Sequence, residues 1–333
     1  MKKEVSLKNI YKPVEKELIK VEEKIEKELY SDEEAVSIIN EYVLNTSGKR
    51  LRPALVLLSG KAVSNHQSPI TNYLISLATA IELIHTATLI HDDVIDEGNL
   101  RRAKSTVNAK WGDELSVLFG DYLYSKAFSL LVHIRNQEIL TLLSSTTNGM
   151  CEGEIVQIAV ANNNFTAISE GEYLKIIEKK TGRLISACCQ TGSILGGADE
   201  TEIVALQKYG LNFGMAFQIV DDCLDLIGKE NELGKSLGSD VRKRKLTLPL
   251  IYLLSRSTNK RNAVDWLYEV CQSKHDLLYE SINYAFGKAN VYVEKAKERI
   301  ETLGIIPPIK ESLVNLLEYI VIRLQSKLDR KRK

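Results

Sequence analysis

Apolar residues recur at three- and four-residue intervals through most of this chain. From Tyr73 to Ile95 the series Leu74, Leu77, Ala80, Ile81, Ile84, Thr88 and Ile95 keeps one face largely apolar, which is the period of a helix and not of a strand. The same spacing predicts helices over 8–29, 33–45, 53–64, 113–133, 136–160, 170–196, 201–227, 246–255, 261–300 with a break near 273, and 309–328. Alternating β-branched runs between Gly-rich turns are nearly absent, so the expected fold is all-α, a bundle of ten or more helices. Small and polar residues cluster at 64–69, 98–106, 161–166, 196–200, 228–239 and 256–260, where connections are expected. None of these is long or of low complexity, so residues 1–333 are expected to form a single domain.

Within this helical pattern one acidic motif occurs twice. His91-Asp92-Asp93-Val94-Ile95-Asp96 and Gln218-Ile219-Val220-Asp221-Asp222-Cys223-Leu224-Asp225 both read Asp-Asp-x-x-Asp, 129 residues apart. On a helix the first and last Asp of each copy stack on one face, with the middle Asp at its flank. Like charges at that spacing destabilise a helix, so a partner is expected, most simply a hard divalent cation. Mg²⁺ is typically held by one or two carboxylates together with substrate phosphates. A solitary copy would fit a solvated acidic face equally well. Here both copies are flanked by apolar residues and followed by cations, Arg101 and Arg102 after the first, Lys235 and 242–245 after the second. Acid and base around one cavity suit Mg²⁺ and phosphate oxygens together.

Composition narrows the classes. The 44 Lys and Arg balance 44 Asp and Glu, so nothing in the bulk charge points to nucleic acid. Five cysteines without C-x-x-C spacing read as reduced thiols of a cytoplasmic protein. The start of the chain has no apolar core of a signal peptide, and no run of about 18 consecutive apolar residues suggests a membrane span. Gly48-Lys49-Arg50-Leu51-Arg52-Pro53 places three cations directly before an apolar helix; this is an anion site in outline, although such a basic helix start is often only solvated.

These pieces, in this order, resemble the trans-type polyprenyl diphosphate synthases. The match runs from Gly48 to Pro249: Gly-Lys-Arg-Leu-Arg-Pro at 48–53, His85 to Asp96, Arg101-Arg102, Gly120-Asp121, Gly153-Glu154 with Gln157, Lys180-Thr181, Phe217-Gln218 with the second Asp motif, Gly234-Lys235 with Asp240, and Lys245 to Pro249. The resemblance implies an isoprenoid synthase-type bundle around a central cavity. It also implies successive condensation of isopentenyl diphosphate with an allylic diphosphate, several Mg²⁺ ions per site, and a homodimer. In this reading Asp92, Asp96 and Asp221, supported by Asp93, Asp222 and Asp225, bind the metal. Arg101, Lys180, Lys235 and Lys245 neutralise the allylic leaving group, with Thr181 and Gln218 beside its exit. Lys49, Arg52, His85 and Arg102 hold the diphosphate of isopentenyl diphosphate. One departure is Arg244, where the family usually has Gly before the Lys of the last element.

The resemblance places the wall of the product tunnel a turn or more before Asp92, at Ala87, Thr88 and Ile84. No aromatic ring stands there. From Asp92 back to Leu77 is about 22 Å of helix at about 1.5 Å per residue, room for several isoprene units. A long-chain product of the hexaprenyl to decaprenyl range, a quinone side-chain precursor, is expected. The alternative is a geranylgeranyl or farnesyl product, with a ring from a neighbouring helix, such as Phe119, Tyr122 or Phe128, closing the tunnel early. Release of so apolar a product would suit weak association with a membrane surface. A terpene cyclase would share the bundle and the acidic site but needs no second diphosphate pocket.

Overall fold

The structure, a computed structural model, describes residues 6–46, 48–63, 68–163, 168–227, 245–256, 263–273 and 275–331. In chain order the helices are α1 (Leu7–Tyr11), α2 (Glu15–Leu29), α3 (Glu34–Leu44), α4 (Leu51–Val63), α5 (Ser68–Ile95), α6 (Val107–Trp111), α7 (Asp113–Ile134), α8 (Gln137–Asn163), α9 (Glu170–Ile177), α10 (Arg183–Gly196), α11 (Glu200–Ile227), α12 (Leu248–Arg256), α13 (Ala263–Ser273), α14 (His275–Glu301) and α15 (Pro307–Lys331). The all-α expectation holds. Pro13 cuts the predicted 8–29 helix with a 3-10 turn over Lys12–Val14.

Helix α5 is the central post. Leu77, Ala78, Ala80, Ile81, Ile84 and Ala87 are fully buried, and the helix packs most extensively on α7. The second acidic helix, α11, packs on α14 and on α10, and α10 lies against α4. That last approach requires glycine: a Cβ on Gly192 would come within 2.4 Å of the Val56 carbonyl oxygen. By length and composition α5 and α7 could each cross a membrane. The apolar window of α5, however, is 67% buried within the bundle, against 39% for α7.

Two local departures from the helical pattern matter for function. The predicted loop at 98–106 contains a two-stranded hairpin, β1 (Leu100–Arg101) and β2 (Lys104–Ser105), with Arg101 paired to Lys104. Its two turn residues, Arg102 and Ala103, take φ of 53° and 61°, the left-handed conformation that two-residue hairpins need. The second departure splits the predicted 170–196 helix. A π-helical segment over Glu178–Gly182 joins α9 to α10 and carries Lys180 and Thr181. Such bulges recur at functional sites because the extra residue re-aims the side chains of that turn.

Candidate active site

Both acidic motifs lie at the C-terminal ends of long helices, α5 and α11, and both open on one cavity of about 820 Å³. Its polar wall includes Asp92, Asp96, Asp221, Asp222, Asp225, Lys49, Arg52, His85, Arg101, Arg102, Lys180, Thr181, Gln218 and Lys245. The chain therefore brings both motifs and every described cation named from the sequence to one place. Lys235 and Asp240 lie outside the described residues, as does Arg244.

The two middle aspartates, expected from the sequence to support the metal, are engaged by side chains of the protein itself. Arg101 clamps Asp93, Nε donating to Oδ2 at 2.8 Å and Nη2 to Oδ1 at 2.7 Å. Asp222 is held in the same manner by neutral donors, the Tyr173 hydroxyl to Oδ2 at 2.6 Å and Gln218 Nε2 to Oδ1 at 2.8 Å. Both carboxylates are buried, and their oxygens are already engaged. They act as anchors: Asp93 fixes the hairpin that carries Arg101 and Arg102, while Asp222 fixes α9 and, through Gln218, Thr181. The Thr181 hydroxyl donates to Gln218 Oε1 at 2.7 Å. Helix α9 is itself set by a capping box, in which Ser169 Oγ accepts from the Glu172 amide while Glu172 Oε2 accepts from the Ser169 amide.

The outer aspartates face the cavity. Asp92 makes no hydrogen bond or ion pair among the described residues, and burial pushes its carboxyl up to about 6 against the pull of Lys180 and Lys245. Asp96 accepts from Lys245 Nζ at 2.6 Å. Asp221 is paired with Arg323 of α15, Nη1 to Oδ1 at 2.9 Å, and burial raises its pKa while Arg323, Lys49 and Arg52 oppose that rise. Lys180 pairs with Glu154 of α8 and reaches Gln157 Oε1 at 3.3 Å.

These donors fit a hard divalent cation. Asp92 is a half-buried carboxylate with no hydrogen bond or ion pair among the described residues, and all the outer groups offer oxygen, as Mg²⁺ prefers. Among the described residues no three metal-ligating side chains converge on one point. An ion here would therefore have to complete its shell with water and phosphate oxygens.

The segment before α4 supplies a further cationic cluster to the same cavity. Lys49 Nζ donates to the Tyr319 hydroxyl at 3.0 Å, and Tyr11 donates to the Lys49 carbonyl at 3.0 Å. Arg102 donates to the Thr46 carbonyl at 3.0 Å and lies over Gly48, where a Cβ would meet its guanidinium at 2.6 Å. Burial, then the charges of Arg52, Arg101, Arg102 and Arg50, push the His85 imidazole well below its usual range, so it stands neutral at pH 7. Sequence reasoning missed Tyr11, Tyr173, Tyr319 and Arg323, all of which line this cavity. Arg323 sits on the polar side of an ordinary-looking C-terminal helix, with no motif around it.

Of the three residues expected to limit product length, only Thr88 lines the cavity. It lies one turn before Asp92 on the same face, and its hydroxyl donates to the His85 carbonyl at 2.7 Å. Ala87 and Ile84 are fully buried. They follow the face of His91, whose ring meets α7 at the Val117 carbonyl oxygen, 3.1 Å away. Met150 of α8 and Leu184 of α10 supply apolar surface to the cavity together with Thr88.

The all-α bundle, with two acidic helices and a set of cations around one cavity, defines a class of helical enzyme. The chain belongs to the polyprenyl synthetase family, whose model matches residues 33–284. It is 33% identical over 334 residues to the octaprenyl diphosphate synthase of Haemophilus influenzae, covering 95% of this chain and 97% of that one. It is 35% identical over 305 residues to the octaprenyl diphosphate synthase of Escherichia coli, covering 89% and 92%. Among solved structures, a polyprenyl synthase from Caulobacter crescentus, complexed with calcium and isoprenyl diphosphate, matches with a TM-score of 0.85 at 32% identity, over 96% of this chain and 98% of that one.

Proposed function

We propose that this protein is a trans-prenyltransferase that elongates an allylic diphosphate by repeated condensation with isopentenyl diphosphate, to a long-chain all-trans polyprenyl diphosphate. The observation that carries this reading is the pair of Asp-Asp-x-x-Asp helices facing one cavity that is also lined by the cluster Lys49, Arg52, His85 and Arg102. Two diphosphates need two cationic sites, which a cyclase does not. Octaprenyl synthases among the relatives support the long product.

Divalent metal, here assigned as Mg²⁺, would be held by Asp92 and Asp96 on one side and Asp221 and Asp225 on the other, and when bound it supplies positive charge to the departing diphosphate. The chain's own cations do the same work from fixed positions. Lys180, Lys245 and Arg101 offer charge where charge develops as the allylic C–O bond breaks. Lys49, Arg52, Arg102 and neutral His85 hold the second diphosphate, so that its double bond lies against the cation formed at the allylic carbon. Loss of a proton, with the released diphosphate as base, completes the cycle. No side-chain nucleophile is required. The growing chain is then led past Thr88, Met150 and Leu184.

Exposed apolar residues on α7 and α8, among them Leu118 at 64%, Val132 at 59% and Ile155 at 66%, support a homodimer through these helices. A cytoplasmic enzyme making a quinone side-chain precursor, released at a membrane surface, fits the same chemistry. The test is incorporation of labelled isopentenyl diphosphate with release of diphosphate, dependent on both substrates and abolished by chelation. Release from the allylic substrate alone, without incorporation, would establish the cyclase reading instead.

A further inference from the structure

The cationic segment before α4 contains one arginine whose charge is already paired, Arg50. Arg50 takes φ of 50°, unusual for a residue with a side chain. Its guanidinium is pinned between two carboxylates: Nη1 donates to Glu82 Oε1 of α5 at 2.8 Å, and Nη2 to Glu22 Oε2 of α2 at 2.6 Å, with Nε also on Glu22. The Glu82 side chain is only 7% exposed, against 40% for Glu22. Two residues on, Arg52 is half-buried, and its buried Nε has no hydrogen-bond partner among the described residues. Glu82 lies within electrostatic reach of both Arg52 and Arg102.

A buried carboxylate takes whichever guanidinium it can reach, because a buried charge left unpaired is costly. Three arginines compete for Glu82, yet the hydrogen bond goes to Arg50. We propose that Arg50 is a positioning residue for the second diphosphate: by occupying Glu82, with Glu22 holding it in place, it keeps the Arg52 guanidinium unpaired and available to the incoming anion. Without Arg50, Glu82 would turn to Arg52 and close the pocket with an internal ion pair. The left-handed backbone at Arg50 accompanies the pairing of this side chain with Glu22 of α2 and Glu82 of α5, at the cavity wall that Lys49 and Arg52 also line. This inference rests on the assignment of Lys49, Arg52, His85 and Arg102 to isopentenyl diphosphate.

The test is a double-variant cycle read as KM for each substrate, with thermal melting followed in parallel. Arg50→Gln is expected to raise KM for isopentenyl diphosphate by about tenfold or more and to leave KM for the allylic diphosphate within about twofold. Arg50→Gln combined with Glu82→Gln removes the competitor as well, and KM for isopentenyl diphosphate is expected to return to within about threefold of the parent, even if the melting temperature stays low. A purely structural ion pair between α2 and α5 would give a double variant no better than the single, and that result would overturn the proposal. So would an unchanged KM in Arg50→Gln. Arg52→Ala separates the underlying assignment: if it leaves KM for isopentenyl diphosphate unchanged, the pocket itself is misassigned and the role of Arg50 falls with it. If it raises that KM while the double variant fails to recover, only the role of Arg50 falls.

Discussion

Lys245 Nζ and Asp96 Oδ2 stand 2.6 Å apart, although 149 residues separate them in the chain. The contact ties the end of α5 to the segment entering α12, and it puts a cation on a carboxylate that the proposed chemistry gives to a metal ion. Arg323 makes the corresponding contact with Asp221. The two acidic faces are thus partly neutralised from within.

Replacing Lys245 separates these two roles. Lys245→Gln removes a competing cation from Asp96 and also one positive charge from the departing diphosphate. Apparent Mg²⁺ affinity is expected to rise while kcat falls by about 10²-fold, the usual order for one lost charge-stabilising donor. Metal titrations of intrinsic fluorescence and steady-state rates check both halves. A fall in metal affinity would show that Lys245 organises Asp96 instead of competing for it.

Asp92→Ala and Asp221→Ala remove carboxylates that face the cavity. Each is expected to lower turnover by orders of magnitude with the helical circular dichroism retained. Asp93→Asn and Asp222→Asn should act differently, since these residues anchor Arg101 and Tyr173: part of their effect should appear as a lowered melting temperature. Equal loss of activity with no change in melting in all four would return Asp93 and Asp222 to the metal.

Asp92 also makes stability depend on pH. Its folded-state pKa, raised by burial to about 6 from 3.8, lies above its unfolded value. The sign follows: the protonated form is favoured in the fold, so this contribution is full below pH 3.8 and is lost as pH rises through 6. The displacement corresponds to at most on the order of 3 kcal/mol. Metal-free Asp92→Asn should therefore melt higher than the parent at pH 7, and the two should converge near pH 4. Added Mg²⁺ should stabilise the parent alone. Parallel melting curves across that range would show Asp92 to be charged without cost.

For product length, Thr88→Phe is expected to cut the product to about twenty carbons or fewer, because a ring one helical turn below Asp92 would fill the cavity floor. Chromatography of the dephosphorylated products decides it. An unchanged distribution would move the wall to Met150 or Leu184.

Much of this site was legible in the sequence because its chemistry is local. Asp92 with Asp96, Lys180 with Thr181, and Lys49 with Arg52 each lie close together in the chain, and for the two aspartates helical periodicity predicts a shared face. What periodicity does not show is which oxygen is already taken. Asp93 and Asp222 look like their neighbours in the sequence, and only the hairpin that delivers Arg101 and the capped helix that delivers Tyr173 separate anchor from ligand. The hairpin itself was hidden because its turn, Arg102-Ala103, contains no Gly or Asn to signal positive φ. The π-helical turn under Lys180 leaves no mark either, since one extra residue barely disturbs an apolar stripe. Ala87 and Thr88 are adjacent, and a rotation of about 100° between them sends one side chain to α7 and the other to the cavity.

The central claim is an elongating enzyme with an open tunnel. Incubation of the purified protein with Mg²⁺, labelled isopentenyl diphosphate and farnesyl diphosphate, followed by dephosphorylation and chromatography, tests it most directly. Incorporation into products of about thirty carbons or more, that is, farnesyl extended by at least about three isoprene units, is the expected result. No incorporation with any allylic primer would contradict the account.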